Sequence, residues 1–129
     1  MLKTNAFNWV TIPVSDMERA MGFYGKVFDL DLTAEAMPSG DVMAMLPRDE
    51  TGHGAPGTLW KGESETGFKP GDAGPEPIFG CAVGLENALE RVEAAGGTVL
   101  SPKTSMGPHG FIAHVLDTEG NRIGLHSYV

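Results

Sequence analysis

One order of periodicities occurs twice along this chain, and that repetition constrains the fold more than any single motif. "NWVTIPV" (8–14) alternates, with Val10, Ile12 and Val14 on one face and Trp9 and Thr11 on the other, the pattern of a strand occupied on both faces. "SDMERAMGFYGKVF" (15–28) then changes to helical spacing through Met17, Ala20, Met21, Tyr24 and Phe28. Ser15 followed by Glu18 is a capping-box pattern, which marks the helix start. Short strands are expected near 30–36, 41–47 and 57–61. Residues 62–76 have no apolar period and read as a long loop. The order then returns. "PIFGCAV" (77–83) is strand-like, and "LENALERVEAAGG" (85–97) is helical, with Leu85, Ala88, Leu89, Val92 and Ala95 inward and Gly96-Gly97 at its end. Strands follow near 98–101, 110–116 and 122–128. The expectation is two copies of one unit: module one over about 6–61, a linker over 62–76, and module two over about 77–128.

At 129 residues the chain makes a single domain with enough length to bury a core. Its net charge of -8, with no cluster of Lys and Arg, repels a duplex or an anionic membrane, so neither is expected as a partner. A cationic or neutral small molecule suits that balance better. The single cysteine, Cys81, excludes an intrachain disulfide and a Cys-rich zinc site. The sequence has no apolar run of membrane-spanning length and no signal-peptide pattern, so a soluble cytoplasmic protein is expected.

Three motifs carry potential chemistry. "GHGAPG" (52–57) fits a dinucleotide fingerprint, but "PRDET" precedes it, Pro56 interrupts it, and no helix follows, so it reads as a turn. "DTEGN" (117–121) lies between two apolar segments and reads as a tight hairpin turn with a positive-φ residue. Pairing Leu116 opposite Arg122 across that turn sets His114 opposite Gly124 and Ile112 opposite His126. Side chains alternate along a strand, so Ile112, His114, Leu116, Arg122, Gly124 and His126 share one face. Phe111, Ala113, Val115, Ile123 and Leu125 form an apolar set on the other face, expected against the helices. Two histidines and an arginine on one face make that face the candidate pocket wall.

The unit "IPVSDMERAMGFYGKVF", the helix "LENALERVEAAGG" and above all "DTEGNRIGL" resemble the vicinal oxygen chelate superfamily, which includes glyoxalase I, bleomycin-resistance proteins and extradiol dioxygenases. The resemblance covers nearly the whole chain. It implies an α+β fold of two βαβββ modules, each curling a four-stranded mixed sheet into half of a cup, with helices on the convex face. It further implies a site in the concave face, normally around a divalent metal held by His and Glu at four matching positions, and often a homodimer in which module one of one chain faces module two of its partner.

This sequence departs from the ligand pattern at every one of those positions. They fall on Trp9, on Met43 or Met45, on Pro77 or Gly80, and on Gly124, none of which supplies the donors that such a metal needs. No metal or other cofactor is therefore expected, and a divalent ion held in a non-standard way by His114 and His126 ranks last. The expected ligand-binding set is Trp9, Thr11, Met43, Met45, Trp60, Phe79, Cys81, His114 and His126, an adaptable Met- and Trp-rich wall beside polar residues. Three readings follow. The first is a metal-independent small-molecule-binding protein. The second is a lyase or isomerase with His114 or His126 as base and Arg122 stabilising a developing anion. The third is a structural or regulatory protein with no cavity bordered by Trp9 and His114. His53 and His109 receive no role.

Overall fold

The computed structural model describes residues 6–49, 54–62 and 68–129. Gly52 and His53 lie outside the described residues; the rest of "GHGAPG" leads into a strand, and among the described residues no helix follows it before the next strand. The elements are β1 (Val10–Pro13), α1 (Met17–Phe28), β2 (Ala34–Ala36), β3 (Val42–Met45), β4 (Gly57–Lys61), β5 (Ile78–Gly80), α2 (Glu86–Arg91), β6 (Thr98–Ser105), β7 (Phe111–Leu116) and β8 (Arg122–Ser127).

These strands form two four-stranded mixed sheets of matching topology, β1-β4-β3-β2 and β5-β8-β7-β6. The first strand of each module runs parallel to its fourth, and the remaining neighbours are antiparallel. The repeated order in the sequence is thus a repeated βαβββ fold. The hairpin register is the one the alternation implies: Leu116 faces Arg122, His114 faces Gly124 and Ile112 faces His126. The register of β6 against β7 shifts twice, between Val99 and Ser101 and between Ser101 and Thr104. Such irregularities bend a strand and increase its twist.

One core serves both modules. Ile12, Ala44 and Leu59 from the first sheet, Ala113, Val115, Ile123 and Leu125 from the second, and Ala20, Phe23, Tyr24, Val27, Leu85 and Val92 from the helical segments are all buried in it. Helix α1 is amphipathic because its apolar residues recur at three- and four-residue spacing, and Met17, Ala20, Phe23, Tyr24 and Val27 are its buried stripe. Its N-cap is Asp16, not the expected Ser15: the Asp16 carboxylate accepts the Arg19 amide at 3.0 Å. The amides of Ser15 and Asp16 both donate at 2.8 Å to Glu119, in the turn between β7 and β8. A partner about a hundred residues away has replaced the local box.

The modules are stitched at two more points. Arg91 of α2 donates twice to the Val27 carbonyl, at 3.0 and 2.7 Å, and so satisfies an orphan acceptor near the end of α1. Asn121 donates to the Pro13 carbonyl at 2.8 Å and accepts the Gly71 amide at 3.0 Å, fixing the linker as well. The second helix is shorter than its apolar pattern. Regular α-helix ends at Arg91, and irregular turns run on to Gly96, whose φ is +99°. Its inward residues still pack as the periodicity implies, since Leu85, Ala88 and Val92 are buried and Leu89 and Ala95 lie against the core.

Candidate functional site

The expected site residues separate into three places. Trp9, Thr11, Met43, Met45 and Trp60 belong to the outward face of the first sheet. Register establishes this, because Thr11 and Met45 both sit beside Thr58, and Met43 sits beside Trp60, while Ile12, Leu59 and Ala44 point to the core. The indole of Trp9 donates to Thr58 Oγ1 at 3.4 Å, and that of Trp60 donates to Asp41 Oδ2 at 3.0 Å. Both indole N–H groups are thereby satisfied while the rings stay partly exposed.

His114, Arg122 and His126 lie on the outward face of the second sheet, with Ile78, Ile112 and Gly124. His126 is committed locally: its Nε2–H donates to the His109 carbonyl at 2.7 Å, and its ring meets Tyr128 edge-on at 4.7 Å. His109 thus serves the sheet edge through its backbone. His114 is engaged differently. Its Nδ1 lies 2.8 Å from Glu76 Oε2, and the same oxygen accepts Arg122 Nε–H at 2.6 Å.

Phe79 and Cys81 are not on this face, which corrects the expectation that they line the same pocket. The Phe79 Cα pairs with Leu125, so its side chain points into the core, where it stacks on Phe28 at 4.4 Å and tilts against Tyr24 at 5.5 Å. Cys81 also packs against the core, and burial raises its thiol pKa, which leaves it a poor nucleophile. "PIFGCAV" is apolar on both faces, so its sequence does not reveal which parity faces inward.

A cavity of about 750 Å³ opens at the seam between the first strands of the two modules, bordered by Val10, Ile12, Phe28, Ile78, Phe79 and Cys81 among others. Neither Trp9 nor His114 borders it.

Glu76 is the residue that sequence reasoning missed. It sits in a segment without periodicity, one residue before the position counted as the third ligand, and only its partners identify it. A side chain added at Gly124 would begin 3.3 Å from Glu76 Oε1, 3.0 Å from Ile78 Cγ1 and 3.4 Å from Ile112 Cδ1. The space a ligand side chain at Gly124 would cross is thus already bounded by a carboxylate, and that carboxylate is paired with Arg122.

A family model described as the glyoxalase/bleomycin resistance protein/dioxygenase superfamily matches residues 6–125. The chain belongs to this superfamily. A comparison with curated protein sequences finds no match. Among solved structures, the chain is similar to a glyoxalase-related enzyme of Fulvimarina pelagi, with 20% identity, a TM-score of 0.67 and coverage of 95% of this chain and 88% of that one. It is similar to an antibiotic-binding protein of Streptomyces sp. CB03234, with 22% identity, a TM-score of 0.68 and coverage of 98% of both chains. It is also similar to glyoxalase I of Zea mays, with 21% identity, a TM-score of 0.70 and coverage of 94% of this chain but 45% of the maize chain. Likeness at this level of identity shows the shared fold.

The superfamily implies a divalent metal, and the residues at the four positions do not fit one. A tryptophan indole satisfied by Thr58, the thioether of Met43 or Met45, Pro77 or Gly80, and Gly124 give no set of imidazole and carboxylate donors. Among the described residues, no group of three or more His, Cys, Asp or Glu is placed to hold an ion. Among the same residues, no helix is long and apolar enough to cross a membrane.

Proposed function

We propose that the chain is a metal-independent small-molecule-binding member of the superfamily, taking a cationic or aromatic ligand against its outward sheet faces. The observation that carries this reading is the state of Glu76 beside Gly124: its carboxylate is paired with Arg122 and meets His114. A carboxylate paired with a guanidinium is a weak competitor for a divalent ion. The Trp9, Met43, Met45 and Trp60 face supplies the polarisable apolar surface that suits a flat ligand. The similar antibiotic-binding protein of Streptomyces supports small-molecule binding as a use of this fold.

Neither Trp9 nor His114 borders the seam cavity, which favours a homodimer whose ligand lies between the Trp9 face of one protomer and the His114 face of its partner. Light scattering on the purified protein tests the dimer. A thermal-shift screen with cationic drugs and planar aromatic compounds tests the binding. Saturating ligand at a hundredfold excess over Kd stabilises a native state by about 2.7 kcal/mol. A strictly monomeric protein whose melting temperature no compound moves would remove this reading and favour the structural one.

A lyase or isomerase is the second reading, favoured by the contact of His114 with a carboxylate, which is how an imidazole base is oriented. His126 is the weaker candidate base because its Nε2 is committed to a backbone carbonyl. Unchanged turnover in a His114→Gln variant, on whatever substrate is found, would eliminate that role.

A further inference from the structure

Glu76 organises the polar end of the His114 face in a way that specifies what that end can bind. Its Oε2 accepts from Arg122 Nε at 2.6 Å and meets His114 Nδ1 at 2.8 Å. A guanidinium only donates, so Oε2 is an acceptor in the first contact. The same oxygen facing Nδ1 makes Nδ1–H the donor in the second. In a neutral imidazole the proton is then absent from Nε2, which carries a lone pair. No hydrogen bond among the described residues uses His114 Nε2 or the two terminal nitrogens of Arg122, while Oε2 of Glu76 receives both side chains.

Exposure has the matching order. The side chain of Glu76 is 18% exposed, that of His114 23% and that of Arg122 45%, so the orienting group is the most covered and the outer donors reach furthest. Gly124, directly opposite His114, adds no side chain between them. The face therefore carries one acceptor, His114 Nε2, and charged donors on Arg122, on two side chains that share Glu76 Oε2.

We propose that Glu76 is a positioning residue that presents His114 and Arg122 as an adjacent acceptor and donor for the lactam edge of a planar heterocycle. The ring N–H of such a ligand donates to His114 Nε2, and its neighbouring carbonyl oxygen accepts from the Arg122 guanidinium. This rests on the reading of the His114 face as a ligand wall and narrows its ligand class to neutral aromatic amides.

The test has two parts. The first is the ¹⁵N spectrum of the histidine rings in the unmodified protein at mildly alkaline pH, where imidazoles are neutral. The expected signature for His114 is a protonated Nδ1 and an unprotonated Nε2, and a shift toward mixed tautomers in Glu76→Gln. A protonated Nε2 in the unmodified protein overturns the proposal and needs no variant to show it.

The second part compares 2-quinolinone, N-methyl-2-quinolinone and quinoline as probes, read from perturbed resonances of His114 and Arg122. Blocking the ring N–H removes one hydrogen bond and sets a methyl group against His114 Nε2, which weakens binding by about tenfold or more. The expected order is therefore 2-quinolinone at least tenfold tighter than its N-methyl derivative, with quinoline weaker still. Equal binding of all three, or binding of none while other aromatic or cationic compounds stabilise the protein, overturns the lactam assignment and leaves the wall reading standing. If no compound of any class perturbs this face, both fall.

Discussion

The phenol of Tyr24 donates to Asp117 Oδ2 at 2.5 Å, joining the middle of α1 to the turn at the far end of the second sheet. Asp117 is buried and has further donors: its Oδ1 accepts the amides of Glu119 and Asn121, each at 2.8 Å, and its Oδ2 also accepts from the Asn121 side chain at 3.0 Å. The carboxylate therefore shapes the "DTEGN" turn and anchors module one on module two. Tyr24→Phe removes one donor from a buried acceptor and should cost about 1–3 kcal/mol in urea unfolding. Full stability in that variant would show that the bond contributes nothing net.

The same contact sets an alkaline limit. Burial first, and then the Asp117 charge, hold the Tyr24 hydroxyl well above its ordinary pKa of 10.0. The folded state thus keeps a proton that the unfolded chain releases. This contribution is complete below about pH 10 and is lost as pH rises through and beyond that value. Unfolding measured across the alkaline range should steepen in the unmodified protein and lose that component in Tyr24→Phe.

Glu119 sets the limit at the acid end. Burial pushes its pKa up, but hydrogen bonds from Arg19 and from the amides of Asp16 and Ser15 outweigh that, and the net value lies below the ordinary 4.5. A depressed carboxyl stabilises the fold above the unfolded pKa, and that stability disappears as pH falls through the folded one. Glu119→Gln keeps the shape but loses the charge-assisted bonds, which should cost about 1–3 kcal/mol near neutrality. The variant's stability should also respond less to pH below about 4.5, read from melting temperatures across acid buffers. An acid limb identical to that of the unmodified protein would assign it to other carboxylates.

These two contacts show where the sequence was legible. Strict alternation on either side of a turn of known type determines a register, so the pairing of His114 with Gly124 could be read residue by residue. A two-fold repeat of strand, helix and three strands was visible because each element repeats its own period. The helix cap was not, because the partner that displaced Ser15 is Glu119, from another module. Parity could not be read in β5, whose residues are apolar on both faces, so the sequence did not separate Phe79 from the Trp9 and His114 set. Glu76 was invisible for a third reason: its role comes from two strands folding over a segment without pattern of its own.

Close packing just before β6 gives a paired prediction. A Cβ on Gly97 would lie 2.5 Å from Phe23 Cε1 and 2.6 Å from the Leu116 carbonyl oxygen, while one on Gly22 would meet nothing within 4 Å. Gly97→Ala must displace an aromatic ring or a strand, at a cost of about 1–3 kcal/mol. Gly22→Ala, inside α1, should instead stabilise by about 0.5–1 kcal/mol through helix propensity. Chemical denaturation of both variants checks the contrast, and equal effects of one sign would contradict the packing.

Metal removal and addition test the chemistry that sets this chain apart from the superfamily's metal-dependent pattern. A protein whose native state binds an ion gains stability in proportion to the logarithm of ion concentration over Kd. If the resemblance places Trp9, Met43 or Met45, Pro77 or Gly80, and Gly124 at the ligand positions, and with Glu76 paired with Arg122, neither EDTA nor added zinc, nickel, manganese or ferrous ion should move the melting temperature. Gly124→Glu should not create a site either. The new side chain begins against Ile78 and Ile112 and sets a second carboxylate beside Glu76, so loss of stability is expected before any gain of metal. Elemental analysis of the dialysed protein, with melting curves in the presence and absence of each ion, provides the readout. A stoichiometric ion whose removal by EDTA lowers the melting temperature of the unmodified protein would overturn the metal-independent reading.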